Sequence, residues 1–217
     1  MSRVEVGGAV LHLLPEKAAW WPDAATLLVA DAHLGKAATF RRLGVPVPEA
    51  TTAGTLDALD AVLARHAVRR IVFLGDLLHS RHAHSRSTLQ TFADWRAQRP
   101  ALELVLVRGN HDDRAGDPPA DWGVRCVDEP FVAAEAAGLA LCHHPEPRPG
   151  LYVVGGHLHP CVHLGRGFER LRLPCFHFGP AVGVLPAFGT FTGMHPIQRQ
   201  AGDRVFAVAE ERVVALA

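Results

Sequence analysis

Five short apolar runs in this chain each end in a cluster of His, Asp or Asn, and this recurrence is what most limits the folds open to it. Residues 26–30 (TLLVA) lead into Asp31-Ala32-His33. Residues 71–74 (IVFL) lead into Gly75-Asp76 and on to His79, and residues 102–107 (LELVLV) into Arg108-Gly109-Asn110-His111-Asp112. Residues 139–142 (LALC) meet His143-His144, and residues 151–154 (LYVV) meet Gly155-Gly156-His157-Leu158-His159. Short runs rich in branched residues and bounded by Gly, Pro or polar residues read as buried strands. Between the first three lie two helical patterns. Residues 51–66 place Leu56, Leu59, Val62 and Leu63 on one face, and residues 85–98 form a second, ended before Pro100. A β-α-β-α-β order implies a mostly parallel sheet. In open α/β sheets the ligand crevice lies beyond the carboxyl ends of the strands. The five clusters are therefore expected to converge.

After about residue 120 the strands crowd together with few helices, and no composition shift marks a boundary. This predicts one domain over residues 1–217, with a second sheet packed on the first and helices outside. The chain is 48% hydrophobic and 20% charged, which excludes a disordered or fibrous protein. Its 22 basic residues balance 22 acidic ones, so a polyanion would have to be met by a local patch. The cysteines at 126, 142, 161 and 175 form no short paired motif, which predicts reduced thiols and a cytoplasmic protein. No signal peptide is legible near the N-terminus, and no stretch reaches the length of a membrane span.

The clusters carry a consistent chemistry. Fourteen histidines are present, and a neutral imidazole is the commonest metal ligand. Mixed nitrogen and oxygen donors suit Mn²⁺, Fe or Zn²⁺. In extended backbone, residues i and i+2 point the same way, so Asp31 with His33, and His157 with His159, are each expected to offer two ligands to one centre. The glycines at 75, 109 and 156 permit tight turns at the strand exits. Taken singly, Asp-x-His arises by chance, and Gly-Asn-His-Asp can be only a turn. Five such clusters in order, each at a strand end, are hard to reach by chance.

This ordered set, Asp-x-His, Gly-Asp, Gly-Asn-His-Asp, His and Gly-His-x-His, resembles the calcineurin-like metallophosphoesterase superfamily. The resemblance implies a four-layer α/β/β/α sandwich, with two central mixed sheets flanked by helices and a two-metal site. Carried over position by position, Asp31, His33 and His159 hold one divalent ion, Asn110, His143 and His157 the other, and Asp76 bridges them. His111 matches the family histidine that stabilises or protonates the leaving oxygen. His143 is assigned over His144 because it is the first histidine after its strand. One position departs: many members have Gly-Asp-x-x-Asp-Arg, and here His79 stands where the second Asp orients the catalytic histidine. Asp112 or His79 itself is the candidate replacement. Lys36, just past the first motif, His79, Arg81 and His144 are candidates for substrate contact, and Arg81 shares a basic, His-rich loop with His82, His84 and Arg86. Trp20 and Trp21 read as core residues or as surfaces on which bases stack.

A narrower resemblance rests on residues 30–36 (ADAHLGK), 74–80 (LGDLLHS), the segment LPAFG at 185–189 and Phe191-Thr192-Gly193. These are similar to the bacterial ligase-associated DNA damage response endonucleases. That similarity implies a Mn²⁺-dependent phosphodiesterase acting on DNA, associated with an ATP-dependent DNA ligase and a repair helicase. The balanced charge instead favours a small nucleotide-like substrate, since DNA binding usually leaves a basic footprint. A non-catalytic repair scaffold is the reading from a different class. Its support is His79, and against it stand seven co-directed ligands that a scaffold does not need.

Overall fold

The structure, a computed structural model, describes residues 2–42, 44, 51–165, 170–190 and 192–216. The first sheet has seven strands in chain order: β1 (Ser2–Val6), β2 (Ala9–Leu13), β3 (Ala19–Trp21), β4 (Thr26–Val29), β5 (Arg70–Leu74), β6 (Glu103–Val107) and β7 (Val124–Val127). β1 to β4 pair antiparallel, and β4 to β7 pair parallel. The second sheet contains β8 (Phe131–Val132), β9 (Leu139–Leu141), β10 (Tyr152–Gly155), β11 (Pro160–Leu164), β12 (Leu171–Phe178), β13 (Val182–Val184), β14 (His195–Pro196), β15 (Arg204–Ala209) and β16 (Arg212–Leu216). Its main path runs β14-β11-β12-β13-β10-β9-β8, with β15 pairing β12 and β16. Both sheets are mixed.

The helices are α1 (Lys36–Arg42), α2 (Thr51–Leu63), α3 (Arg86–Ala97) and α4 (Asn110–Ala115). They are few, and among the described residues all lie before residue 116. None is long and apolar enough to cross a membrane. The helical patterns at 51–66 and 85–98 thus hold as α2 and α3. Ser85 caps α3, its hydroxyl accepting from the Thr88 N–H at 3.3 Å.

Alternation along the parallel strands divides the core. Leu28, Val72, Leu74, Val105 and Val107 face the second sheet and pack with Leu139, Leu141, Val154 and Phe176. Leu27, Val29, Ile71, Phe73, Leu104 and Leu106 face the other way, onto Leu56 and Leu59 of α2 and Phe92 and Trp95 of α3. Both faces are covered, which is why these strands read as unbroken apolar runs. Trp21 sits in the first cluster and Trp20 in the second, so both are core residues with no face for a base.

Three strands precede the expected first one. Their signal was available: Gly7-Gly8 separates two runs with buried residues at alternate positions, Val4 and Val6, then Leu11 and Leu13. That pattern is a hairpin, and both glycines have positive φ.

Candidate metal centre

The five polar clusters meet at the carboxyl ends of β4, β5, β6, β9 and β10, but not by the expected strand alternation. β4 stops at Val29. Beyond it Asp31 and His33 have φ of 52° and 46°, Asp76 has 51°, and His157 and His159 have 66° and 46°. All five are left-handed, a conformation costing an L-residue roughly 1–2 kcal/mol. Such strain persists only where the surroundings fix it, and it gathers at functional sites. Here backbone bonds clamp the loops together. The His33 N–H donates to the Asp76 carbonyl at 2.8 Å, Phe188 to Ala30 at 2.8 Å, Gly189 to Asp31 at 3.2 Å and His195 to His159 at 2.9 Å. LPAFG, legible only as a turn, is therefore a brace on the Asp31 loop. Phe191 lies outside the described residues.

The side chains close into overlapping groups. Asp31, His33 and His159 each present a donor atom within 4.8 Å of the others, and so do Asp31, Asp76 and His143. His143, His144 and His157 form a third such group, and His33, His79 and His111 a fourth. Asp76 stands between them, with Oδ1 3.5 Å from His143 Nε2 and Oδ2 3.9 Å from His33 Nε2. Asn110 Oδ1 and His157 Nδ1 each lie 3.0 Å from His143 Nε2.

Two features suit this cluster to cations. Asp31 is fully buried, and its Oδ1 has no hydrogen-bond partner, a state that costs free energy unless a counter-charge meets it. The His143 Nδ1 lies 3.0 Å from the Leu74 carbonyl, which can only accept, so that nitrogen carries the hydrogen. In a neutral ring the Nε2 lone pair then faces Asn110 Oδ1, a convergence of acceptors. His159 is turned likewise, with Nδ1 3.1 Å from the Gly193 carbonyl and Nε2 facing Asp31. Ring hydrogens anchored away from the cluster leave the inner nitrogens as ligands. Burial pulls His33 well below the ordinary imidazole range, and burial first, then His143, lowers His157. Neutral rings are the ligating form. Burial raises Asp76, a shift that a bound cation opposes.

Glycine is required where backbone and ligand meet. At Gly75, with φ of 77°, a Cβ would lie 2.1 Å from His143 Nδ1, and at Gly156 one would lie 2.5 Å from Asp31 Oδ2.

The sequence left open what orients His111. Asp112 does not: its carboxylate accepts from the N–H groups of Asp76 (2.7 Å), Leu78 (3.2 Å) and Gly109 (3.0 Å), holding the Gly75-Asp76 turn against α4. Burial pushes Asp112 up to about 6 despite these bonds. His111 Nδ1 instead meets the backbone carbonyl of His79. The His79 ring stacks on His111 at 5.1 Å and lies near Phe40. Burial first, then Lys36 and His111, lower it to about 4.

Of the remaining candidates, His144 is held by Glu129, whose Oε1 meets its Nδ1 at 2.9 Å. Glu129 Oε2 accepts the N–H groups of both His143 and His144. Glu129 is a supporting residue that sequence reasoning missed, since a lone Glu before a proline carries no signal. Lys36 opens α1, and its charge bears on His33 and His79. Arg81 is exposed at the start of a short 3₁₀ helix, Arg81–Ala83. The His84 ring meets the Ala115 carbonyl. The His82 side chain lies outside the described residues.

The calcineurin-like phosphoesterase family matches residues 25–146. Among solved structures the chain is similar to the Pseudomonas putida nuclease MPE, at 42% identity and a TM-score of 0.86, covering 99% of each chain. No curated protein matches it. The chain belongs to the calcineurin-like phosphoesterase family and is a metal-dependent phosphoesterase.

Proposed function

We propose that this chain is a phosphodiesterase that cuts DNA internally, forming one domain over residues 1–217 and working with two divalent ions, Mn²⁺ first among them. The observation that carries the reading is Asp76, placed between the His33 side and the His143 side of one buried cluster. Asp31, His33 and His159 would hold one ion and Asn110, His143 and His157 the other, with Asp76 available to both. Bound there, such ions neutralise phosphoryl charge and supply an activated water. The protein's own part is to hold ligands in fixed tautomers, to close the site with buried walls, and to keep His111 ready as a proton donor. The inner nitrogen of His111 points into the cluster, 4.0 Å from Asp76 Oδ2. General acids of this kind contribute about 10²–10⁴-fold. Lys36 and His144 flank the cluster as phosphate contacts.

The nuclease similar over the full chain supports DNA as substrate. The link to an ATP-dependent ligase and a repair helicase rests on the sequence resemblance, and a cytoplasmic setting on the cysteine pattern. The balanced charge of 22 against 22 favours the second reading, a small nucleotide-like diester. A scaffold has no use for five ligand-type residues in left-handed backbone.

The test is Mn²⁺-loaded protein assayed side by side on bis-p-nitrophenyl phosphate, p-nitrophenyl phosphate and DNA. The expected result is diester hydrolysis well above monoester hydrolysis, together with nicking of circular DNA. Hydrolysis of the monoester alone overturns the proposal. Diester hydrolysis with intact DNA selects the second reading.

A further inference from the structure

A cleft of about 610 Å³ opens beside His157, and the metal cluster does not account for it. Leu158, Pro160, His195, Pro196 and Ile197 form its walls. Leu158 sits between two cluster histidines, yet it is 49% exposed, one of four large apolar side chains so exposed among the described residues. Nothing in the packing of the fold requires an aliphatic group there. The opposite wall is fixed to the cluster: β14 pairs with β11, the Ile197 N–H donates to the Cys161 carbonyl at 3.0 Å, and His195 to that of His159. At the polar end His177 also lines the cleft, its Nε2 tied to Asp203 at 2.7 Å.

We propose that this cleft is a nucleoside subsite, seating the base of the nucleotide whose phosphate lies at the cluster. The inference rests on the phosphodiesterase reading. A diester at the cluster carries two substituents. His111 groups with His33 and His79, whereas His157 groups with His143 and His144. The cleft opens on His157, which does not group with His111, and the proposal seats in it the retained nucleoside, not the leaving group. Its chemistry fits a base. Leucine, isoleucine and proline offer apolar surface to the flat faces, the His195 ring offers a stacking plane, and His177 meets a polar edge. No Lys, Arg, Asp or Glu lines it, so it suits an uncharged group. The volume lies within the roughly 300–1,000 Å³ of small-molecule sites.

Thymidine 5′-p-nitrophenyl phosphate and methyl p-nitrophenyl phosphate share a leaving group and differ in what the cleft can hold. Wild-type protein with Mn²⁺ is expected to prefer the thymidine ester in kcat/KM. Ile197→Ala should cut that preference about tenfold, the size of one base contact, and Leu158→Ala should do the same from the other wall. An unchanged preference in both variants overturns the subsite. A second readout needs no turnover: methyl NMR of the Zn²⁺-loaded protein titrated with thymidine 5′-monophosphate. Leu158 and Ile197 resonances should shift with the nucleotide and hold still with inorganic phosphate. If they stay put with both, the subsite is wrong. Should wild type hydrolyse neither ester, the phosphodiesterase reading fails, and the titration still decides whether the cleft takes a nucleoside.

Discussion

The Nδ1 of His111 lies 2.6 Å from the backbone carbonyl oxygen of His79. A carbonyl only accepts, so this nitrogen carries the hydrogen and the ring tautomer is set. The orienting group is main chain, which stays in place when the His79 side chain changes.

The first prediction follows. Removing the His111 ring should lower turnover by about 10²–10⁴-fold with metal content unchanged. His79→Ala deletes a stacked ring but keeps the carbonyl, so it should retain at least about ten times the activity of His111→Ala. Turnover numbers and metal analysis on both proteins check this. Equal losses would assign the orientation to the His79 ring.

Asp76 is the shared group, one oxygen 3.5 Å from His143 Nε2 and the other 3.9 Å from His33 Nε2. Its Oδ1 also accepts the His111 N–H at 3.0 Å, fixing the carboxylate to the start of α4. Asp76→Ala should therefore lose both ions together, whereas His159→Ala, at the Asp31 edge, should weaken one. Metal equivalents per chain after gel filtration give the answer. One intact ion in Asp76→Ala would place the bridge elsewhere.

Much of this site was legible because each ligand cluster directly follows an apolar run buried on both faces, so the runs located the sheet and the sheet located the site. The geometry was not legible. Asp31 and His33 share a centre through left-handed backbone past the end of β4, and alternation along a strand does not describe them. Their local sequence does not favour that backbone. The brace comes from Phe188 and Gly189, more than 150 positions away. Glu129 and the Asp112 carboxylate were illegible for a related reason: both act on backbone N–H groups, which any residue supplies and no motif marks.

The brace itself titrates. Lys17 Nζ donates to the Gly189 carbonyl at 3.2 Å, and burial pulls the ammonium from 10.5 down to about 8. The native state then binds fewer protons than the unfolded chain between pH 8 and 10.5, so stability should rise with pH across that window. Below pH 8 the buried charge opposes folding by on the order of 3 kcal/mol. Lys17→Met should flatten the rise and be the more stable protein at pH 7.5. Urea unfolding of EDTA-treated samples at pH 7.5 and 9.5 measures both slopes. Identical slopes would remove Lys17 from the account.

Asp31 couples the strain of the site to its purpose. Oδ2 accepts the His157 N–H at 2.9 Å, while Oδ1 has no partner. The nearest ring nitrogens do not help. His143 Nδ1, at 3.8 Å, has its hydrogen on the Leu74 carbonyl, and His159 Nε2, at 3.6 Å, is the lone-pair side of a ring whose hydrogen faces Gly193. Without metal, a buried carboxylate oxygen therefore lacks a donor. In Asp31→Asn an amide N–H₂ replaces Oδ1 and can donate to His159 Nε2, so the metal-free variant should be more stable by about 1–3 kcal/mol. Mn²⁺ should reverse the order. An ion binding only the native wild type adds about 2.7 kcal/mol at one hundred times its Kd, and the variant should gain little. Thermal melts of both proteins in EDTA and in excess Mn²⁺ therefore ought to cross. A variant already less stable in EDTA would mean that the carboxylate serves the fold itself and not the ion.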